Sequence, residues 1–181
     1  MNYDIVCNYI YGESPIAGSI GVMDTDLKRR DIGKWIARYL SVGSNEWLIK
    51  MDPDCMITGP IEIPHTSADV IGTLTEFRHG VWPLGGAYAI RRSALSAIIR
   101  TVDVRGMRFV CHHYIDRRGV LTPIEEDVLS MAGSALRLQF ADWPGANIRY
   151  RPYWQTTEIL DTAGFVYHPY IKELDNDLPI V

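Results

Sequence analysis

The sequence predicts an α/β protein with a largely parallel or mixed sheet. Stretches rich in β-branched and aromatic residues, such as YDIVCNYIY near the N-terminus, have the composition of strands. They alternate with stretches in which apolar residues recur at the spacing of an amphipathic helix. The run EWLIKM at 46–51 is short and continuously apolar, which is typical of a strand buried in a parallel sheet. Strand and helix in alternation are the pattern of α/β domains.

The N-terminal half contains two strands and a helix between them. The first strand, YDIVCNYIY, is closed by Gly12. A helix is predicted over 27–40 from its apolar spacing, with cap candidates at 24–26. Gly43 ends this helix, and the strand EWLIKM follows.

The C-terminal half continues the alternation. Ser93 is expected to cap a helix through ALSAIIRTV. Thr122 and Glu125 form a capping box with Pro123 at the first helical position, which predicts a helix to about Leu138. Further strands are predicted at ADVIGTLTEF, GGAYAI, MRFVCHHY, NIRYRPY and AGFVYHP. Because no repeat, linker or low-complexity segment interrupts the pattern, residues 1–181 are expected to form a single domain.

Composition limits the class of protein. The chain has 181 residues, of which 47% are hydrophobic and 22% charged, which is the ordinary range of a globular domain. Every apolar run is shorter than the roughly 18 residues of a membrane span, and the N-terminus lacks the features of a signal peptide. Three widely spaced cysteines without a CxxC pair indicate reduced thiols. We therefore expect a soluble cytoplasmic protein.

Two acids, Asp52 and Asp54, follow the strand EWLIKM directly. Neighbouring carboxylates repel each other, so they need a counter-ion or full solvation. In open α/β sheets, ligands collect beyond the carboxyl ends of the strands, where this pair lies. Carboxylate oxygens suit Mg²⁺ or Mn²⁺, and such an ion bridges a diphosphate and stabilises it as a leaving group. The alternative is an ordinary solvated acidic turn.

Three later motifs accompany this D-x-D pair. WPLGGAYAIRRSAL at 82–95 contains a glycine pair, TPIEEDVLSM at 122–131 places three acids at a helix start, and YHPYIK lies at 167–172. Their order resembles the metal-dependent nucleotide-sugar glycosyltransferases of the GT-A fold. The resemblance implies a single-domain, three-layer α/β/α sandwich of Rossmann-like type. It also implies transfer of a sugar from a nucleoside-diphosphate sugar, with a UDP-sugar as first choice, to a hydroxyl acceptor.

The resemblance assigns a metal and nucleotide site. It places Asp54 on a Mn²⁺ or Mg²⁺ ion, Asp52 on the metal or the ribose, and His168 as a third ligand. The strand DIVCNYIYG would lie beside the nucleotide, with Asn8 near the base or ribose. Members of this family usually have a longer nucleotide-binding half before the D-x-D, so the chain is expected to be a compact variant.

The resemblance also assigns the catalytic group and part of the binding site. Glu126 and Asp127 match an E-D pair, and in an inverting reaction Asp127 removes the acceptor's proton as general base. Gly85 and Gly86 let the backbone approach the sugar or acceptor closely. Trp82 is expected in a loop, where an exposed ring would stack on a sugar or base. Acids in a first helical turn also complement the helix dipole, which is the alternative for the E-D pair.

The distribution of charge along the chain indicates which acceptors are suitable. The net charge is −4, yet residues 91–118 contain seven arginines, beginning with Arg91. This basic segment suits an acceptor that carries phosphate, such as a modified base in DNA, a polyprenyl phosphate or a phosphorylated sugar. A neutral sugar chain ranks level with these, and a solvated basic face is the alternative.

Two other classes of function share the D-x-D pair. An aspartate-nucleophile phosphohydrolase would attack phosphate with the first acid, Asp52, but the threonine, lysine and acid pair that such enzymes use are not evident. A binding module would hold a sugar or nucleotide without turnover. Both remain open from the sequence.

Overall fold

The computed structural model of the chain describes residues 2–9, 12–24, 27–77, 80–105, 113–115, 121–148, 151–152, 166–168 and 171–172. The helices are α1 (Leu27–Arg30), α2 (Ile32–Ala37), α3 (Arg92–Arg105) and α4 (Glu125–Leu136), with a 3-10 helix at Arg38–Ser41. The strands are β1 (Tyr3–Tyr9), β2 (Ile20–Met23), β3 (Trp47–Met51), β4 (Met56–Ile57), β5 (Val70–Phe77), β6 (Gly80–Arg91), β7 (His113–Ile115), β8 (Leu121–Pro123), β9 (Phe140–Asp142), β10 (Ala146–Ile148), β11 (Arg151–Pro152), β12 (Val166–His168) and β13 (Ile171–Lys172).

The main sheet has six strands in the order β2-β1-β3-β6-β5-β9. Strands β1, β2 and β3 are mutually parallel, and β5 is parallel to β9. Strand β6 runs antiparallel to both of its neighbours, β3 and β5. The predicted α/β class and mixed, mostly parallel sheet are therefore confirmed.

Each face of the main sheet has its own hydrophobic core. Leu48, Tyr88 and Ile90 point to a face covered by α2, α3 and α4. Ile49 and Met51 point to the opposite face, because successive strand residues alternate. In the part of the chain that the structure describes, extended segments between strands cover this second face, so the three layers are helices, sheet and extended chain.

The helix predicted over 27–40 is divided. It forms α1, then α2, then the 3-10 helix, because Asp31 leaves the helical conformation. The Asp31 side chain instead caps α2, accepting a hydrogen bond from the Lys34 backbone N–H at 3.1 Å. A short polar side chain that bonds to the backbone starts a new helix more readily than it continues one.

The predicted capping box before α4 is wrong. Thr122 and Pro123 belong to β8, where Thr122 pairs with Tyr114 of β7. The helix begins at Glu125, and Ile124 precedes it in an extended conformation without a side-chain cap. Strand pairing has overridden the local helix-start signal, and the acids Glu125 to Asp127 now form the first turn.

Strand β6 is longer than the predicted GGAYAI. It begins at Gly80 and includes Pro83, which lies opposite Leu74 of β5 at an irregularity in the pairing. Gly72 makes room for it, since a Cβ at Gly72 would press on the Pro83 ring. This bulge lets a proline sit inside the sheet, where its missing N–H would otherwise break the pairing.

Candidate functional site

The carboxyl ends of the parallel strands form one edge of the sheet, and three of the predicted motifs meet there. Because β6 is antiparallel to β3, the glycine pair in its first half lies beside the residues that follow β3. The Asp52 backbone N–H donates to the Gly86 carbonyl oxygen at 2.8 Å. The first turn of α4 reaches the same place, since the Glu126 carboxylate lies against Gly85. We call this edge the carboxyl edge.

The D-x-D pair lies on a tight turn at the carboxyl edge. The Asp52 carbonyl oxygen accepts a hydrogen bond from the Cys55 N–H at 3.1 Å, which closes the turn around Pro53 and Asp54. Both carboxylates are half-buried. The Cys55 thiol donates to the Gly86 carbonyl oxygen at 2.9 Å and so ties the turn to β6. The turn therefore holds two acids in a defined place next to the glycine pair.

Lys50 connects the three motifs, although it is not among the site residues predicted from the sequence. Its side chain is only 4% exposed, and its ammonium lies 2.5 Å from Asp52 Oδ1 and 4.0 Å from Glu125 Oε1. It also donates to the Gly85 carbonyl oxygen. Burial lowers the pKa of Lys50, but the carboxylates of Asp52 and Glu125 outweigh it and hold the pKa well above its usual value. Lys50 is therefore a buried cation shared by the D-x-D turn, the glycine pair and α4.

Glu125 is the buried anion that faces Lys50. Its carboxylate, 2% exposed, pairs with the Lys28 ammonium at 3.2 Å. Trp35 Nε1 donates to it at 2.8 Å and the Tyr39 hydroxyl at 3.0 Å. Burial raises the pKa of Glu125, but Lys28, Lys50 and these hydrogen bonds outweigh it and lower the pKa to about 2. Glu125 therefore carries a negative charge at neutral pH although it is buried.

Glu126 lies against the glycine pair. A Cβ at Gly85 would collide with the Glu126 carboxylate, so glycine is needed for this close approach. Burial and the neighbouring Glu125 raise the pKa of Glu126. Asp127, by contrast, is 2% exposed. Of the predicted E-D pair, the structure places Glu126 at the partly open edge and Asp127 in the interior.

Asn8 lies at the carboxyl end of β1 and is joined to the same cluster. Its Nδ2 donates to the Tyr39 hydroxyl at 2.5 Å, and Tyr39 in turn donates to Glu125. The Asn8 Oδ1 atom is buried and has no hydrogen-bond partner among the described residues. The structure thus brings Asn8 to the predicted edge but behind Tyr39, in the interior.

His168 approaches the D-x-D turn through its strand. Strand β12 runs antiparallel to β4, and Tyr167 pairs with Met56. His168 is the next residue after Tyr167, and in this antiparallel pairing it lies towards the start of β4, which is the end that follows Asp54 and Cys55. The side chain of His168 lies outside the described residues. Among the side chains that are described, no group of three His, Cys, Asp or Glu residues is arranged to hold a metal.

Trp82 is not an exposed stacking platform, and that prediction is wrong. Its ring is fully buried in β6 and packs edge-to-face on Tyr88 and Phe140. The predicted loop between Gly80 and Pro83 is part of the strand, because the bulge in β5 accommodates the proline.

Arg91 lies at the opposite edge of the sheet, away from the glycine pair beside which it was predicted to contact the acceptor. It pairs with Trp47 at the start of β3, whereas the glycine pair lies beyond the end of that strand. Its guanidinium donates to the carbonyl oxygens of Ala68 and Thr66 and pairs with Glu46. Gly85 and Arg91 are six residues apart on one strand, which separates them by roughly 20 Å.

A signal in the sequence could have identified Lys50. A lysine within an otherwise apolar strand is buried with its charge, and a buried charge requires a partner. Asp52 comes two residues later, and strand alternation would place it on the same face of the sheet as Lys50. The partner Glu125 could not be found this way, since only the folded chain brings it to Lys50.

The fold and the site define an α/β protein with a charged cluster at the carboxyl edge of its sheet. No family model and no curated protein matches the sequence. One solved structure with a weak likeness is the glycosyltransferase GlyE from Streptococcus pneumoniae TIGR4, at 11% identity and a TM-score of 0.41. The match covers 78% of this chain, which spans 45% of the length of that structure. None of the helices in the described part of the chain is long and apolar enough to cross a membrane.

Proposed function

We propose that the chain is a glycosyltransferase that takes a sugar from a nucleoside-diphosphate donor, with UDP as the first candidate nucleotide. The observation that carries the proposal is the meeting of three distant motifs at one buried lysine. Lys50 contacts Asp52 of the D-x-D turn, Gly85 of the glycine pair and Glu125 at the start of α4. Chain segments 75 residues apart are brought together at the edge where α/β sheets bind ligands.

The D-x-D turn supplies ligands that suit a divalent cation. Lys28 and Lys50 contact Glu125, Lys50 also contacts Asp52, and the carboxylates of Asp52 and Asp54 lie half-buried on the turn. Oxygen ligands are those that Mg²⁺ and Mn²⁺ prefer, and Mg²⁺ is commonly held by one or two carboxylates with substrate phosphates and water. Two carboxylates on the D-x-D turn meet that requirement.

Asp54 and Asp52 would hold the cation, with His168 as a third ligand. The cation would supply positive charge against the diphosphate as it leaves. The chain's own part is to fix both carboxylates on the closed turn and to keep Asp52 oriented by its ion pair with Lys50.

For the general base we favour Glu126 over Asp127. A base must come within hydrogen-bond reach of the acceptor hydroxyl, and Glu126 lies at the partly open edge beside Gly85 while Asp127 is buried. A raised pKa brings a carboxylate closer to the working pH, which favours proton transfer. The adjacent Glu125 stays ionised, so the pKa values of the two neighbouring carboxyl groups are shifted in opposite directions.

For the acceptor we favour an uncharged hydroxyl compound such as a sugar chain. The basic segment that predicted a phosphate-bearing acceptor begins with Arg91, but both Arg91 and Arg92 bond to the protein at the opposite edge. A DNA acceptor would instead require arginines from the remainder of the 91–118 segment and a steep dependence of binding on salt.

The test is nucleotide binding and turnover in the same preparation. The melting temperature is measured with UDP, GDP, CDP or ADP, each with Mn²⁺, Mg²⁺ or EDTA, and release of diphosphate from the matching nucleotide sugars is followed. We expect one nucleotide to stabilise the protein only with the cation. Asp54→Ala should remove this shift, whereas the matched control Asp142→Ala, an exposed acid on the edge strand β9, should keep it.

Two outcomes distinguish the rival classes. Phosphate release from an aryl phosphate without use of any nucleotide sugar would assign the chain to the phosphohydrolases. Cation-dependent nucleotide binding without turnover of any sugar donor would make it a binding module. An identical shift in wild type and Asp54→Ala contradicts the proposed site.

A further inference from the structure

The ammonium of Lys50 is enclosed by protein acceptors. It contacts Asp52 Oδ1 at 2.5 Å and the Gly85 carbonyl oxygen, with Glu125 Oε1 at 4.0 Å, and the side chain is 4% exposed. An ammonium has three N–H donors; two of them are accepted by Asp52 and the Gly85 carbonyl oxygen, and the Glu125 carboxylate pairs with the charge at longer range. Lys50 is therefore placed to act on Asp52, and not to reach out to a substrate itself.

This arrangement puts Lys50 in competition with a cation for Asp52. A metal ion on the Asp52 carboxylate would lie at short distance from the ammonium that the same group already binds. Like charges at that distance repel, and salt screens the repulsion poorly because Lys50 is buried. Asp52 consequently has a weaker attraction for a cation than an acid on a solvent-exposed turn.

We propose that Lys50 is an internal counter-ion that makes the D-x-D turn bind a divalent cation weakly on its own and tightly together with an anionic diphosphate. The inference rests on the proposed function, because it concerns the cation site of that function. A diphosphate brings negative charge that offsets the repulsion between Lys50 and the cation. The two ligands therefore favour each other, and thermodynamic linkage requires the coupling to be the same in both directions. Lys50 is a positioning residue in this account.

The experiment is a calorimetric titration of the whole chain with Mn²⁺, first alone and then with saturating UDP. The variants are Lys50→Met and the matched control Lys34→Met, which removes the same charge from a side chain that is 76% exposed. We expect Lys50→Met to bind Mn²⁺ alone about tenfold more tightly than wild type. The factor by which UDP strengthens Mn²⁺ binding should shrink correspondingly. Lys34→Met should match wild type in both titrations.

A second variant protects the test against misfolding. Lys50→Met leaves Glu125 without one of its cations, whereas Lys50→Met/Glu125→Gln removes both members of that ion pair. It should also bind Mn²⁺ alone more tightly than wild type. A purely structural role for Lys50 predicts a lower melting temperature with unchanged or weaker Mn²⁺ binding.

Three results overturn the inference. They are unchanged Mn²⁺ affinity in the folded variants, weaker affinity in them, and absence of Mn²⁺ binding in wild type and variants alike. Tighter binding by the variants supports it, even if wild type alone binds too weakly to measure. Failure of the proposed glycosyl transfer is seen separately, as wild-type protein that turns over no nucleotide sugar, and the titration with Mn²⁺ alone does not depend on turnover.

Discussion

Both edges of the main sheet carry buried or half-buried ion pairs, but the pairs are built differently. At the amino edge, where β3 begins, Arg92 pairs with Asp4 at 2.7 Å and donates to the backbone carbonyl oxygens of Asn45 and Val42. Arg91 has the same pattern, with its guanidinium also stacked on the Trp47 ring at 4.5 Å. At the carboxyl edge the cations are lysines, and most of their partners are side-chain carboxylates.

The difference separates a structural clamp from the proposed binding site. A guanidinium that ends on loop carbonyls holds those loops to the sheet, and its planar donors are used up in doing so. At the carboxyl edge the lysines contact side-chain carboxylates beside the D-x-D turn, which is where we propose that a cation binds.

The largest effect expected from this comparison concerns Glu126. Glu126→Gln should lower the rate of sugar transfer by about 10²–10⁴-fold, the loss typical of a positioned base, while Mn²⁺–nucleotide binding persists. Arg91→Ala at the amino edge should leave the transfer rate of the folded protein unchanged. Steady-state kinetics and nucleotide titration measure both. A fully active Glu126→Gln beside an inactive Asp127→Asn would move the role to Asp127.

The pH dependence of stability should follow Glu125. Its folded pKa of about 2 lies below the usual value of 4.5, so its contribution is complete above pH 4.5 and is lost as the pH falls towards 2. The loss is on the order of 3 kcal/mol in the free energy of unfolding. Urea unfolding of wild type and Glu125→Gln between pH 7 and pH 3 measures it.

The variant Glu125→Gln should be less stable at pH 7 and should lack this part of the pH dependence. Asp4 at the amino edge also has a lowered pKa, since hydrogen bonds from Asn45 and Arg92 outweigh the opposing effect of burial. Asp4 is present in both proteins, so the difference between the two curves isolates Glu125. If wild type and Glu125→Gln lose stability with pH in parallel, then Lys28 and Lys50 do not lower the pKa of Glu125.

Removal of Arg92 tests the clamp at the amino edge. Arg92→Ala leaves Asp4 and two carbonyl oxygens without their charged donor, so we expect a loss of about 2 kcal/mol in unfolding free energy. Cation-dependent nucleotide binding should be unaffected in the folded variant. Denaturant unfolding and nucleotide titration give the two readouts. A stable variant with impaired nucleotide binding would contradict the division between the edges.

The smallest effect is expected at Glu46. Its pair with Arg91 is half-exposed, with the glutamate side chain 49% accessible, and exposed ion pairs contribute less than about 1 kcal/mol. Glu46→Gln should therefore change both stability and nucleotide binding little, and a loss as large as that of Arg92→Ala would show that the amino edge works as one network.

The sequence predicted those parts of the site that depend on local order along the chain. Asp52 and Asp54 follow a buried strand, and this position alone places them at the carboxyl edge. Glycines in a strand and acids at a helix start were likewise identified from short motifs. The partners of Lys50 were not, because Glu125 is 75 residues away and reaches it only through the packing of α4 on β6.

The unexpected positions of Trp82 and Arg91 share one cause. Both lie on β6, and neither the direction nor the full length of that strand is evident from local sequence patterns. An antiparallel β6 carries Gly85 to the carboxyl edge and Arg91 to the amino edge. A bulge in the neighbouring β5 keeps Pro83 and Trp82 within the strand, where a local reading of Gly80 and Pro83 predicts a loop.

The two outermost strands of the main sheet have a consequence for self-association. These edge strands are its shortest, β2 with four residues and β9 with three. Strand β2 exposes Ile20 and Met23, apolar side chains that would favour pairing with the edge of another molecule. Four residues offer too few unpaired backbone groups to template a long intermolecular sheet. Aggregation of a weakened variant is therefore expected to start from opened core strands and not from the native edges.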